Sequence, residues 1–209
     1  MRIYNIANQI GKHGIFSFFV GISKVFPLSI PVPDVGERET FDGDLKNVKT
    51  FQLKQQEKNK IWELLEKNVK DYYESTWGWD SDSKKKELFD PSAYFLIVTS
   101  RDNELVAFSM FKLCWDDEEE PEYPVLFCYE LQVEEKYQGQ GIGKRLMDIE
   151  IQIANELNLW KTMLTCFKIN TKAMGFYKKI GFDVDINSPS THGFDADYEI
   201  LSDKPKLRN

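Results

Sequence analysis

Between Val125 and Ile149 the chain reads VLFCYELQVEEKYQGQGIGKRLMDI. An apolar strand-like run passes through a charged turn, crosses three alternating glycines and opens into an amphipathic helix, whose stripe is Ile142, Leu146, Ile149, Ile153 and Leu157. A strand feeding a glycine-rich turn feeding a helix makes an anion site. Glycines lack a Cβ, so the backbone can approach a ligand closely. The first helical turn has amides without intrahelical partners at the positive end of the macrodipole. The turn amides around Gly139, Gly141, Ile142, Gly143 and Lys144 are therefore candidates to hold a pyrophosphate. Each hydrogen bond to a charged group contributes about 1.5–3 kcal/mol, so several suffice. A Walker loop is excluded because no Gly-Lys-Ser/Thr follows. The element order is also wrong for a Rossmann site, which needs a ribose-binding acid on a later strand.

The 209 residues suffice for one domain with a well-buried core, and an aromatic content of 14% makes that core ring-rich. A formal net charge of −7 argues against nucleic-acid binding and is compatible with a basic peptide substrate. The three cysteines, Cys114, Cys128 and Cys166, sit in apolar runs without metal-like spacing, which points to a reducing compartment. His13 and His192 are too few and too far apart in sequence for a histidine-rich metal site, so no metal is expected.

Residues 1–33 carry no acidic side chain, and their apolar run, Gly14 to Ile22, is too short to span a bilayer. A transit peptide is one option there; an extension packing its aromatic face on the domain is the other. Pro27, Pro31 and Pro33 imply an extended linker, and residues 34–50 are polar and uninformative. Residues 1–50 are thus set apart as an N-terminal extension, 51–203 as the domain and 204–209 as a tail. Ile61, Leu64, Leu65, Val69 and Tyr72 give a helical period between Gln52 and Tyr73. That helix ends in the aromatic loop Tyr72-Tyr-Glu-Ser-Thr-Trp-Gly-Trp79, either a loop anchored by buried rings or one wall of a substrate groove. Ser83–Phe89 reads as a short charged helix. Strands follow at 93–100, 105–115 and from Val125, with the acidic loop 116–122 before the last of them. After the glycine turn, Lys161–Cys166 reads as a strand, Asn170 or Thr171 as a helix cap, Ala173, Phe176, Tyr177 and Ile180 as an apolar face and Gly181 as its stop. Phe182–Ile186 and Tyr198–Leu201 complete a final hairpin.

Two marks now carry a family. Gln138-x-x-Gly141-x-Gly143, between strand and helix, resembles the acetyl-CoA loop of the GCN5-related N-acetyltransferase (GNAT) superfamily. Asn170-x-x-Ala173-x-x-x-Tyr177-x-x-x-Gly181-Phe182 resembles that superfamily's last helix and strand. Six further segments, at 72–79, 106–109, 128–132, 163–168, 188–190 and 198–202, are similar to the NatD-type N-α-acetyltransferases, which modify histones beginning Ser-Gly-Arg-Gly. The resemblance implies an α/β GNAT fold, with helices flanking a central, mixed, mostly antiparallel, twisted sheet. It implies acetyl-CoA as cosubstrate, histone N-terminal tail peptides as partners, and no nucleic acid or membrane. It also implies a monomer without an auxiliary subunit and residence in nucleus and cytoplasm. Acetylation of lysines or small amines, and non-catalytic acetyl-CoA binding, stand as alternatives.

The resemblance also distributes roles. Gln138, Gly139, Gln140, Gly141, Ile142, Gly143 and Lys144 would hold the pyrophosphate. The backbone of Leu131, Gln132 and Val133 would pair with the pantetheine arm, with the amide of Val133, or one beside it, as oxyanion donor. Asn170 would contact that arm, cap its helix, or do both. Glu130 is the candidate base, acting directly or through water, since burial in an apolar strand raises a carboxyl toward a useful pKa. A modest base suffices for an N-terminus: a peptide α-amine titrates at about 7.7–8, whereas lysine, at about 10.4, is harder to deprotonate by about 3.4 kcal/mol. Tyr177 occupies the position that protonates the leaving thiolate in many relatives, or else packs in the core. Tyr73, Trp77, Tyr129, Thr165 and Tyr198 would clamp the peptide, and the acidic loop, Asp116 and Glu118 above all, would pair its arginine. Phe127 stands where a tyrosine is expected.

Overall fold

The computed structural model describes residues 43–116 and 123–203. β1 (Gly43–Lys49) leads into α1 (Gln55–Glu74) and α2 (Ser81–Leu88). β2 (Tyr94–Ser100), β3 (Leu105–Trp115) and β4 (Pro124–Val133) then run as a meander. α3 (Ile142–Glu156), β5 (Thr162–Phe167), α4 (Thr171–Lys179), β6 (Asp183–Val184) and β7 (Tyr198–Ser202) complete the chain. The seven strands form one sheet in the order β1-β2-β3-β4-β5-β7-β6, with every neighbour antiparallel except β4 and β5. This is the expected GNAT architecture. Among the described residues, no helix is long and apolar enough to cross a membrane.

Helices cover both faces. The stripe of α3 packs Leu146, Ile149 and Ile153 against Leu96, Phe111 and Leu126. On the other face Ile61, Leu64 and Leu65 of α1 and Leu88 of α2 meet Phe95, Ile97, Phe108 and Met110. α4 closes a third cluster around Cys128, Leu164, Cys166, Tyr177 and Phe182.

Two irregularities in β4 shape what lies beside it. Met110 pairs with Glu130 but Phe111 with Cys128, so Tyr129 is a bulged residue with no opposite number on β3. β5 pairs with β4 only from Leu126↔Thr162 to Cys128↔Leu164, although β4 continues to Val133 and β5 to Phe167. β4 stays with β3, β5 stays with β7, and the sheet divides between them.

The structure departs from the sequence expectation at β1, where 43–49 pairs with β2 along its whole length. Leu45 packs on one core face and Val48 on the other, and Lys46 and Lys49 lie along this sheet edge. One apolar residue per face leaves no alternation to read, and lysines on an edge strand oppose further pairing. The sheet thus begins eight residues before the boundary drawn from sequence, which placed the domain from residue 51. Residues 1–42 of the expected extension, Glu118 and the tail 204–209 lie outside the described residues. Lys161 and Asp185 form a buried ion pair at 2.6 Å that ties the start of β5 to the segment after β6.

Glu150 is the anomaly of α3. It is fully buried, with Ser109 and Cys128 beside its carboxyl. Burial pushes its pKa up to about 7, which Ser109 and Cys128 offset only in part. An unfolded glutamate titrates near about 4.3. As pH rises from there to about 7, the unfolded state loses its proton first, so stability falls by about 3–4 kcal/mol in all. Below that window both states are protonated, and above it the penalty is constant. Glu150→Leu removes the penalty. It should be more stable than the wild type at pH 8 and less pH-dependent between pH 5 and 8, as read from urea denaturation at both pH values.

Candidate active site

The glycine turn has the geometry its sequence demands. Gly139 and Gly141 take φ of 76° and 85°, in the left-handed region that costs other residues about 1–2 kcal/mol. Gly141 is the N-cap of α3 and supplies no side-chain cap. The caps of α2 and α4 do: Asp80 accepts from the amides of Asp82 and Ser83, and Asn170 accepts from that of Ala173. Gln138 is a strut. Its Nε2 donates to the Val133 carbonyl at 3.0 Å, and its Oε1 accepts from Lys172 at 2.5 Å, joining β4, the turn and α4. Gln140 donates to the Lys136 carbonyl, closing the turn from the other side. Ile142 is buried and seats the helix start in the core, while Lys144 is ion-paired with Asp148 one turn on. Lys172 was not anticipated, because its pattern is that of an ordinary exposed helix residue.

The strand leading into the turn offers a second set of amides. Glu134 N–H bonds to the Val106 carbonyl of β3. In an antiparallel ladder the pairing side alternates, so Gln132 also faces β3, whereas the amides of Leu131 and Val133 face the gap where β5 has left. Gln132 therefore departs from its expected place on the cofactor arm. Its side chain donates to Glu130 Oε2 at 2.8 Å and accepts from Asn68 of α1 at 3.0 Å, which makes it a brace for the carboxyl.

Glu130 is buried and belongs to a charged unit that sequence inspection missed. Lys84 of α2 reaches Glu130 Oε1 at 2.6 Å, pairs with Glu87 three residues on, and donates to the Tyr73 hydroxyl at 2.7 Å. Lys84 is 4% exposed. Burial alone would lower its pKa, but Glu130 and Glu87 override this and hold it well above the usual lysine value. Glu130 moves up, through burial first and the neighbouring Glu87 second, with Lys84 and Gln132 pulling against them. Lys84 and Leu88 are both buried on one face of α2; Lys85 and Lys86 are exposed.

A cleft opens beside this unit, lined by Tyr73, Trp77, Lys84, Glu87, Phe127, Tyr129, Thr165 and Phe167. Four residues expected to clamp a substrate, drawn from three separate stretches, thus meet around one space. A fifth, Tyr198, backs its wall, packing edge-on against Trp77 at 5.3 Å. Trp77 meets Phe167 at 4.5 Å, and Tyr73 meets Phe167, Trp77 and Trp79 at 5.1–5.8 Å, so the aromatic loop is both anchored and exposed to the cleft. Lys112, paired with Asp90, lies over the Tyr129 ring at 4.7 Å and steadies the bulge. Burial raises the Tyr73 hydroxyl, and raises that of Tyr198 to about 12, so both act as neutral groups.

Other candidates stand apart. Tyr177 is buried between Phe176 and Phe182, its hydroxyl well above the usual range through burial. It packs in the third core cluster with Cys128 and Leu164. Asn170 is a helix cap, accepting from Ala173 N at 3.1 Å. Asp116 is not among the cleft residues. Its Oδ1 accepts from Tyr123 N at 3.0 Å and fastens the base of the acidic hairpin.

A dividing parallel pair, a left-handed glycine turn and an uncapped helix together define an acyl-CoA-dependent transferase site. The model of the acetyltransferase (GNAT) family matches residues 58–182, and the chain belongs to that family. It is 28% identical over 119 residues to the spermine/spermidine N(1)-acetyltransferase of Bacillus subtilis strain 168, covering 56% of this chain and 75% of that protein. Among solved structures, the PaiA N-acetyltransferase of Thermoplasma acidophilum in complex with coenzyme A has a TM-score of 0.55 at 17% identity, covering 77% of this chain and 99% of the other. A chain of the NatC complex bound to Gag peptide and CoA has a TM-score of 0.56 at 17% identity, over 80% and 100%.

Acetyl-CoA is the cosubstrate, and the residues fit it. The turn amides suit its pyrophosphate, and the amides of Leu131 and Val133 suit an extended amide-bearing arm lying in the gap. Among the described residues no group of three His, Cys, Asp or Glu is placed to hold a metal. Gly141→Ala tests the turn. No atom lies within 4 Å of the added Cβ, so its cost is conformational. The expected result is a lower melting temperature and an acetyl-CoA Kd about tenfold higher. Gly193→Ala, at a φ of 77° in a loop remote in sequence, should lower stability without changing Kd. Calorimetric titration and thermal melts check both.

Proposed function

We propose that this chain is an N-terminal α-amine acetyltransferase of NatD type, acting on histone tail peptides that begin Ser-Gly-Arg-Gly. The observation that carries the proposal is the meeting of Tyr73, Trp77, Tyr129 and Thr165 around one cleft beside the buried Glu130 unit. An aromatic, narrow cleft suits the extended end of a chain, and hydroxyls at Tyr73, Tyr129 and Thr165 suit a polar first residue. A carboxyl raised by burial and by the neighbouring Glu87 matches an α-amine of pKa about 7.7–8 better than a lysine of about 10.4.

Acetyl-CoA supplies the activated acetyl group. The glycine turn and the Leu131 and Val133 amides would orient it in the gap. Glu130 would accept the proton of the amine. Glu130 does not itself line the cleft, and Lys84 and Tyr73 stand between, so transfer through a bridging water is favoured over direct contact. Tyr177 would donate a proton to the leaving thiolate.

A second function, acetylation of a small polycation, draws support from the Bacillus subtilis relative and from the carboxylate on the cleft wall. The two are separated by incubating the protein and acetyl-CoA with a Ser-Gly-Arg-Gly peptide, its N-blocked form, an Arg-substituted form and spermidine, followed by mass spectrometry. The expected product is one acetyl group on the free N-terminus, with the blocked peptide inert and the Arg-substituted one poor. Acetylation of the blocked peptide, or of spermidine alone, would refute the proposal. Glu130→Gln should lower kcat on the order of 100-fold while leaving the acetyl-CoA Kd unchanged.

A further inference from the structure

The cleft holds two carboxylates' worth of charge around one lysine, and only one of those carboxylates is at its wall. Glu87 lines the cleft; Glu130 does not. Lys84 is bonded to Glu130, Glu87 and the Tyr73 hydroxyl, so its donors are committed. The unit therefore presents a net negative charge to the cleft. The remaining walls include the aromatic side chains of Tyr73, Trp77, Phe127, Tyr129 and Phe167; such rings attract cations, as Lys84 over Tyr73 and Lys112 over Tyr129 show. A site of this charge and lining is complementary to an ammonium group, the form in which an α-amine arrives at neutral pH.

We infer that Glu87 is the residue that recognises the acceptor's ammonium group, and that Lys84 is the positioning residue that fixes Glu87 at the wall and Glu130 behind it. Helix geometry supplies the arrangement. Lys84 and Glu87 lie three residues apart on one face of α2, and Leu88 on the same side is fully buried, so the eight-residue helix cannot turn the pair outward without exposing its anchor. Glu87 thus acts in selection of a cationic acceptor and Glu130 in removal of its proton. This inference rests on the amine-acetyltransferase function proposed above and deepens it.

The test compares two ligands that differ only in the amine: a Ser-Gly-Arg-Gly peptide and its 3-hydroxypropionyl-Gly-Arg-Gly analogue. Both are titrated into the coenzyme A-bound full chain. The wild type should prefer the amine about 10- to 100-fold. In Glu87→Gln, which keeps the side-chain shape, that preference should fall to within about threefold, with affinity for the analogue unchanged. An undiminished preference in Glu87→Gln would overturn the role of Glu87. Spermidine run in parallel separates the two levels. If spermidine alone binds and its affinity depends on Glu87, the inference stands and the histone-tail proposal fails. If Glu87→Gln changes affinity for neither ligand, the inference fails whatever the substrate. For Lys84, the readout is the pH profile of kcat in Lys84→Gln. Loss of the cation should move the acid limb to higher pH, because Glu130 becomes harder to ionise. A lower kcat with an unmoved limb would reduce Lys84 to a structural part.

Discussion

The site depends on a strand pairing that stops. β4 and β5 hold together for three residue pairs, to Cys128↔Leu164, and then follow different partners. Beyond that point, among the described residues, neither strand has a strand neighbour on the side facing the gap, and backbone groups there are completed by side chains, water or a ligand, as Gln138 and Asn68 complete the Val133 carbonyl. The parting places the Leu131 and Val133 amides at an open edge and aims the strand into the glycine turn. The bulge at Tyr129 falls at the same level. By adding one residue it resets which side chains face which way, so that Tyr129 borders the cleft while Glu130 is buried against α2.

Buried charge is arranged differently at three places. Lys161 and Asp185 are matched one to one, a self-contained pair that ties loops together. Glu150 has no counter-charge among the described residues and stays partly protonated near neutrality. At Lys84 one cation serves two carboxylates. Burying any of these groups costs several kcal/mol of desolvation. A matched pair recovers much of that cost and an isolated acid avoids it by holding its proton. An imbalance of charge pushes Glu130 up toward holding a proton, and a ligand of the opposite sign would offset what remains. That distinction separates the Lys84 unit, beside a cleft, from the two structural cases.

Local signals in the chain were readable and non-local ones were not. The glycine turn, the α1 and α3 stripes, the β3 strand and the Asn170 cap follow from spacing and backbone chemistry within a few residues. The assembly of Tyr73, Trp77, Tyr129 and Thr165 was reached through family resemblance, and the cleft brings them together. β1 escaped notice because its only apolar residues, Leu45 and Val48, serve opposite faces. Lys84 and Glu87 escaped because a Lys-Lys-Lys-Glu run on a polar helix does not reveal which lysine turns inward. Gln132 and Asp116 drew roles from the family resemblance; their side chains are bonded to Glu130 and to the Tyr123 amide. The strand bulge and the end of the β4–β5 pairing leave no trace in residue type.

The central claim is that the open edge of β4 receives the cosubstrate. Amide hydrogen exchange, followed by NMR at single-residue resolution with and without acetyl-CoA, tests it most directly. Leu131, Val133 and the turn amides from Gly141 to Lys144 should gain protection on binding. Gln132, already bonded to β3, should exchange slowly in both states. Protection that spares Leu131 and Val133 and falls on another strand would contradict the claim.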